Sequence, residues 1–173
     1  LAKQLSIAAL STGEMLRAAV AAGTPVGMQV KATMERGGLV PDELVIAIVA
    51  ERIREPDARF GFILDGFPRT IAQADALDEI LWAEGAGLDC VLQLKVDEGA
   101  LLDRILSRAT EAIARGQVRA DDNEAALKVR LEEYRAQTEP LANYYRAQGI
   151  LKDVDGLQSV DKVATLLNEA LYA

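Results

Sequence analysis

Gly61-Phe62-Ile63-Leu64-Asp65-Gly66-Phe67-Pro68-Arg69 is the stretch that decides the fold. Phe60 to Leu64 is short and mostly apolar, the pattern of a buried strand, and Asp65-Gly66 breaks it. A carboxylate at a strand end can hold Mg²⁺, usually through water. The Gly-Phe-Pro turn redirects the chain and presents Arg69 to an anion. The same residues also suit a strand-end turn with a solvated Arg, because Asp-Gly turns are common. Local pattern leaves both readings open.

Working outward, the neighbouring segments alternate between strand and helix signals. Ile7 to Leu10 is a short apolar strand candidate. Ser11 and Glu14 have capping-box spacing, which predicts a helix to about Ala22, stopped at Gly23. Thr24-Pro25 restarts a helix and Gly37-Gly38 ends it. Pro41-Asp42 opens a third, with Leu44, Val45, Ile48 and Ile53 at mainly helical spacing. Downstream, Thr70 to about Glu84 reads as a helix and Cys90 to Val96 as a second buried strand. Asp97 caps a helix to about Arg108, while 111–120 is polar and arginine-bearing. Asp121 caps a long helix, bent or interrupted near Pro140. Ile150 to Val154 is a last strand, and Ser159 to Leu171 a final helix. Such alternation predicts an α/β fold, a parallel sheet covered by helices on both faces. In these sheets ligands sit beyond the carboxyl ends of the strands, where Asp65 lies.

Composition narrows the chemistry. The 173 residues are half hydrophobic, with a formal charge of −8. That excess of acid argues against non-specific binding to nucleic acid or an anionic membrane. No purely apolar run, that through Val45 to Ala50 included, is anywhere near long enough to cross a bilayer. One cysteine, Cys90, excludes an internal disulfide and a multi-cysteine zinc site. The expectation is a cytoplasmic protein. There is no histidine, which removes the usual general base and the serine–histidine hydrolases. Most basic residues are Arg, the better fork for phosphate oxygens.

Two further constellations bear on phosphate. Ser11-Thr12-Gly13-Glu14-Met15-Leu16-Arg17 couples a helix start, with its free N–H groups, to an Arg one turn in. An ordinary capped helix with a surface Arg has the same pattern. Arg104, Arg108, Arg119 and Arg130 form the second set. Arg104 and Arg108 share a helix face, and Asp121 and Asp122 could pin Arg119. By spacing alone these suit a salt-bridged surface. Arginines that converge from separate segments would instead suit phosphoryl transfer, whose transition state spreads charge over several oxygens.

Taken together, these stretches resemble the adenylate kinases among the nucleoside monophosphate kinases. The resemblance rests on Leu10 to Arg17, Gly38-Leu39-Val40, Gly61 to Arg69 with Gln73, Arg104 and Arg108, Arg119 to Asp122, Arg130, Thr138 to Leu141, and Val154-Asp155-Gly156, in order and spacing along the whole chain. It implies a reversible, Mg²⁺-dependent transfer in which ATP and AMP give two ADP. It implies an AMP site of Thr12, Arg17, Gly38, Leu39, Val40, Gly66, Phe67, Pro68, Arg69, Gln73, Arg119 and Arg130. Thr12 and Val40 would border the adenine, Gln73 would hydrogen-bond it, and Arg17 and Arg69 would hold the phosphate. Arg104, Arg108 and Gln158 would serve ATP. Arg69, Arg108, Arg119 and Arg130 would be the catalytic set, and Asp65 would order the magnesium waters. The domains implied are a core of 1–10, 41–106 and 123–173, an AMP-binding domain of 11–40 and a short lid of 107–122. That lid has no cysteine, so no lid zinc is expected. A monomer is expected. Thr12 favours AMP, since the similar uridylate/cytidylate kinases usually carry Ala there; a UMP/CMP kinase is the alternative acceptor class.

The chain departs from the family in one respect. The family opens with a central strand and a phosphate loop, G-x-x-x-x-G-K-[ST], whose backbone N–H groups and Lys cradle the ATP phosphates. None of the 173 residues matches it. The expectation is that the physical protein has that strand and loop. The contrasting reading is a catalytically dead fragment or variant that at best binds AMP. With the first central strand missing from the sequence, the strands at Phe60–Leu64 and Cys90–Val96 are expected not to pair directly.

Overall fold

A computed structural model of the chain describes residues 1–97, 99 and 123–172. Expected Arg104, Arg108 and Arg119, the lid, and the cap assigned to Asp121 lie outside the described residues. After a short helix α1 (Ala2–Leu5) the chain enters strand β1 (Ala8–Ser11) and turns directly into α2 (Thr12–Ala21). Gly23, at φ 64°, closes α2. Helix α3 (Pro25–Glu35) starts as its sequence predicts, with the Gly27 N–H donating to Thr24 Oγ1 at 3.0 Å. Then come α4 (Asp42–Arg52), β2 (Phe62–Asp65), α5 (Ile71–Ala83) and β3 (Val91–Lys95). The chain ends with α6 (Glu124–Glu133), α7 (Pro140–Ala147), β4 (Leu151–Asp155) and α8 (Val160–Tyr172).

Two local expectations need correction. Ser11 occupies the N-cap of α2, but its side chain makes no capping bond, so the capping box does not form. Ser11 is the last residue of β1 and lines the cleft described below. Phe60 lies outside β2 and is 87 % exposed. Gly61, at φ 121°, breaks the extended run between Phe60 and the strand. The helix predicted to bend near Pro140 does so through a π-helical turn, Tyr134–Thr138, between α6 and α7. Asn123 caps α6, accepting from the Ala126 N–H at 2.9 Å.

β1 pairs parallel with β2, with Leu10 opposite Leu64 and Ser11 opposite Asp65. β3 pairs parallel with β4, with Leu94 opposite Val154. β2 and β3 do not hydrogen-bond to each other, as the sequence led us to expect. Helix α5 joins the two pairs. Leu77 and Leu81 bury into a core shared with Leu10, Leu16, Val30, Val45, Val49 and Phe67. Ala74, on the same helix, packs with Leu141 and Tyr145 in a second cluster that Val91, Ile150 and Leu151 adjoin. Leu88 touches both clusters. Each fully buried leucine here contributes about 1.5–3 kcal/mol of transfer free energy, so α5 is the main tie across the unpaired boundary. No helix among the described residues is long and apolar enough to cross a membrane.

Candidate functional site

The register of β1 on β2 puts Ser11 and Asp65 side by side at the carboxyl ends of both strands. A cleft of about 290 Å³ opens there. Its floor comes from Ser11, Thr12 and Gly13 and from Asp65 and Gly66. Parallel strands bring their carboxyl ends and the following helix N-termini to one edge of the sheet, so this is where a ligand site is expected.

Thr12 fastens the two strand ends together. It is 4 % exposed, and its hydroxyl lies 3.0 Å from the Gly66 carbonyl oxygen and 3.3 Å from that of Asp65. Because Ser11 makes no side-chain cap, the first-turn N–H groups of α2 are not closed off by it. Arg17, one turn in, folds back over this helix start: a Cβ on Gly13 would lie 3.1 Å from Arg17 Nη2. A helix N-terminus beneath a guanidinium favours an anion.

The Asp65-to-Arg69 turn supplies the second arginine. Gly66 sits at φ 78°, and the Phe67–Pro68 peptide bond is cis. Phe67 is buried in the main core and anchors the turn. Arg69 is held at three points. Its Nε donates to the Gly66 carbonyl at 2.9 Å, its N–H to Gln73 Oε1 at 2.8 Å, and its carbonyl accepts from Thr138 Oγ1 at 2.9 Å. Burial pushes its pKa below the usual guanidinium value. Arg130 and then Arg17 push the same way by repulsion, while Asp65 opposes them. Two further guanidinium groups therefore stand close enough to Arg69 to act on its charge, and all three line the same cleft.

The opposite wall comes from the turn after α3 and from α5. Gly38, Leu39 and Val40 line it, together with Met34, Val45 and Gln73. Gln73 is 2 % exposed and lies in the first turn of α5, where its N–H donates to Thr70 Oγ1 at 3.1 Å. Its side-chain Nε2 donates to Asp42 Oδ1 at 2.6 Å, and Thr70 Oγ1 donates to Asp42 Oδ2 at 2.9 Å. Gly37, at φ 80°, presses against α6; a Cβ there would fall 2.3 Å from the Ala126 carbonyl oxygen. Only a glycine permits this approach, and α6 carries Arg130, which completes the cleft lining.

Of the residues expected at the site, Thr12, Arg17, Gly38, Leu39, Val40, Asp65, Gly66, Arg69, Gln73 and Arg130 line one cleft. Phe67 supports it from the core, and Pro68 forms the turn. Gln158 stands elsewhere, donating to Asp155 Oδ2 at 2.6 Å in the turn after β4. A protein-family model described as adenylate kinase matches residues 1–150. The chain belongs to the adenylate kinase family. It is 60 % identical over 170 residues to the adenylate kinase of Methylobacterium radiotolerans, covering 98 % of this chain and 85 % of that protein. It is 57 % identical over 172 residues to that of Azorhizobium caulinodans, covering 99 % and 89 %. For the adenylate kinase of Beijerinckia indica the identity is 56 % over 174 residues, covering 100 % and 90 %.

Sequence reasoning did not find Asp42 or Gly37 as parts of the site. Asp42 read only as a helix opener and Gly37 only as a helix stop. No local signal marks Asp42, because its partners Thr70 and Gln73 lie 28 and 31 residues away.

Proposed function

We propose that the protein catalyses reversible phosphoryl transfer from ATP to AMP, giving two ADP, with Mg²⁺ accompanying ATP. The observation that carries this is the convergence of Arg17, Arg69 and Arg130 on one cleft at the strand ends. On this reading Arg17 and Arg69 hold the AMP phosphate and Arg130 faces the group in transfer. Thr12 and Val40 border the adenine, and Gln73 reads its edge. There is no covalent intermediate for the protein to form. Its contribution is alignment of donor and acceptor and compensation of charge on the phosphoryl oxygens.

Asp65 fits a magnesium role. It is an exposed carboxylate at the cleft floor, and a hard cation that keeps its waters suits such a group. Bound there with ATP, Mg²⁺ would neutralise phosphate charge; the chain's own part is to hold and orient the hydration shell. For the ATP side the reading relies on Arg104, Arg108 and Arg119, with 107–122 as lid and 11–40 as the AMP-binding segment. On the family resemblance we place the protein in the cytoplasm, as a monomer acting on ATP, AMP and ADP.

The test is a coupled assay of the full-length protein with AMP, UMP, CMP and GMP as acceptors. AMP is expected to dominate. Comparable turnover with UMP would favour a pyrimidine nucleotide kinase, and AMP binding without turnover would favour a binding-only variant.

A further inference from the structure

Gln73 is a buried amide whose two ends are chemically distinguished. Its Oε1 accepts from the Arg69 backbone N–H at 2.8 Å, and its Nε2 donates to Asp42 Oδ1 at 2.6 Å. A backbone N–H can only donate and a carboxylate can only accept, so turning the amide over would set donor against donor and acceptor against acceptor. Asp42 is itself fixed, since its other oxygen accepts from Thr70 Oγ1 at 2.9 Å. One lone pair on Oε1 and one N–H on Nε2 remain beyond these two bonds. Gln73 lines the cleft, so that ordered donor–acceptor pair is available to a base.

We propose that Asp42 is a specificity-determining positioning residue, which locks the Gln73 amide in the orientation that reads adenine and rejects guanine. The inference rests on the AMP reading given above. Adenine offers an acceptor at N1 beside a donor at N6. Guanine offers the reverse, a donor at N1 beside an acceptor at O6. A freely rotating amide satisfies either base by turning over. A locked one satisfies only adenine, and guanine then leaves buried polar groups opposed. Asp42 also stands two residues after Val40, so the same bonds hold the Gly38–Val40 wall against α5.

The experiment measures AMP and GMP binding by calorimetry on the full-length protein, its Asp42→Ala variant and its Asp42→Asn variant, with circular dichroism to check folding. Asparagine keeps an oxygen for the Gln73 N–H, while alanine keeps none. We expect Asp42→Ala to lower the AMP-over-GMP preference about tenfold and Asp42→Asn to retain most of it. An unchanged preference in folded Asp42→Ala, or an equal loss in both variants, would overturn the inference. If the parent protein binds no AMP, the AMP reading fails first, which is a separate outcome. Should Asp42→Ala not fold, the side-chain amide resonances of Gln73 in the parent decide. One Gln73 amide proton shifted downfield and protected from solvent exchange supports the lock, and two protons at free-glutamine shifts in rapid exchange overturn it.

Discussion

Replacing Arg69 by alanine separates chemistry from folding at this site. Among the described residues the side chain makes one hydrogen bond, Nε to the Gly66 carbonyl, while the contacts through its backbone to Gln73 and Thr138 survive truncation. The lost bond costs about 1 kcal/mol. Against that, the substitution removes a buried charge that Arg130 and Arg17 repel. These terms have opposite sign, so stability should change by no more than about 1 kcal/mol. Function should behave otherwise. A charge-assisted contact to phosphate in a partly dry cleft contributes about 1.5–3 kcal/mol in the ground state and more where charge builds in the transition state. We expect kcat/KM for AMP to fall by about 10²–10⁴. The assay is steady-state kinetics at varied AMP, paired with urea unfolding. A variant with kcat/KM near that of the parent would refute the reasoning. So would a large loss of stability, since Arg69 would then be holding the turn rather than the phosphate.

Other perturbations test other parts. Thr12→Val should cost about 1–2 kcal/mol in urea unfolding, because it removes the buried donor that serves the Gly66 carbonyl, whereas Thr12→Ser should retain most of the stability. Gly37→Ala should destabilise by about 1–3 kcal/mol or displace the turn from α6, because it meets both a left-handed backbone and the Ala126 carbonyl; weaker AMP binding in calorimetry should accompany it. Asp57, bonded to Arg52, and Asp155, bonded to Gln158 and the Leu157 N–H, both have pKa values lowered by those bonds in the folded state. Their stabilisation is therefore present above the unfolded carboxylate pKa and is lost as pH falls through the lower folded values. Asp57→Asn and Asp155→Asn should each flatten the acid limb of stability in a pH series by lowering stability near neutrality, where the carboxylate bonds act, and leaving it unchanged at low pH, where they are already lost.

Much of this protein was legible in the chain because it is local. Thr24-Pro25, Gly23 and Gly37 mark helix ends through conformations that few other residues adopt. The Asp65-to-Arg69 turn carries its own geometry, and four strand positions follow from short apolar runs. Such signals act within a few residues, so they survive without knowledge of the fold. Tertiary structure alone decided what those signals are for. Ser11 and Glu14 have capping spacing, yet in the fold Ser11 ends β1 and its side chain makes no cap. Phe60 looks like strand core and lies in solvent, because Gly61 turns the chain before pairing begins. Arg17, Arg69 and Arg130 are ordinary surface arginines by local pattern and come to line one cleft only when α2, the turn after β2 and α6 are brought together. Asp42 is the clearest case. Its bonds to Thr70 and Gln73 span 28 and 31 residues. Hydrogen bonding at that separation depends on how helices pack, and packing is a property of the whole chain rather than of any stretch within it.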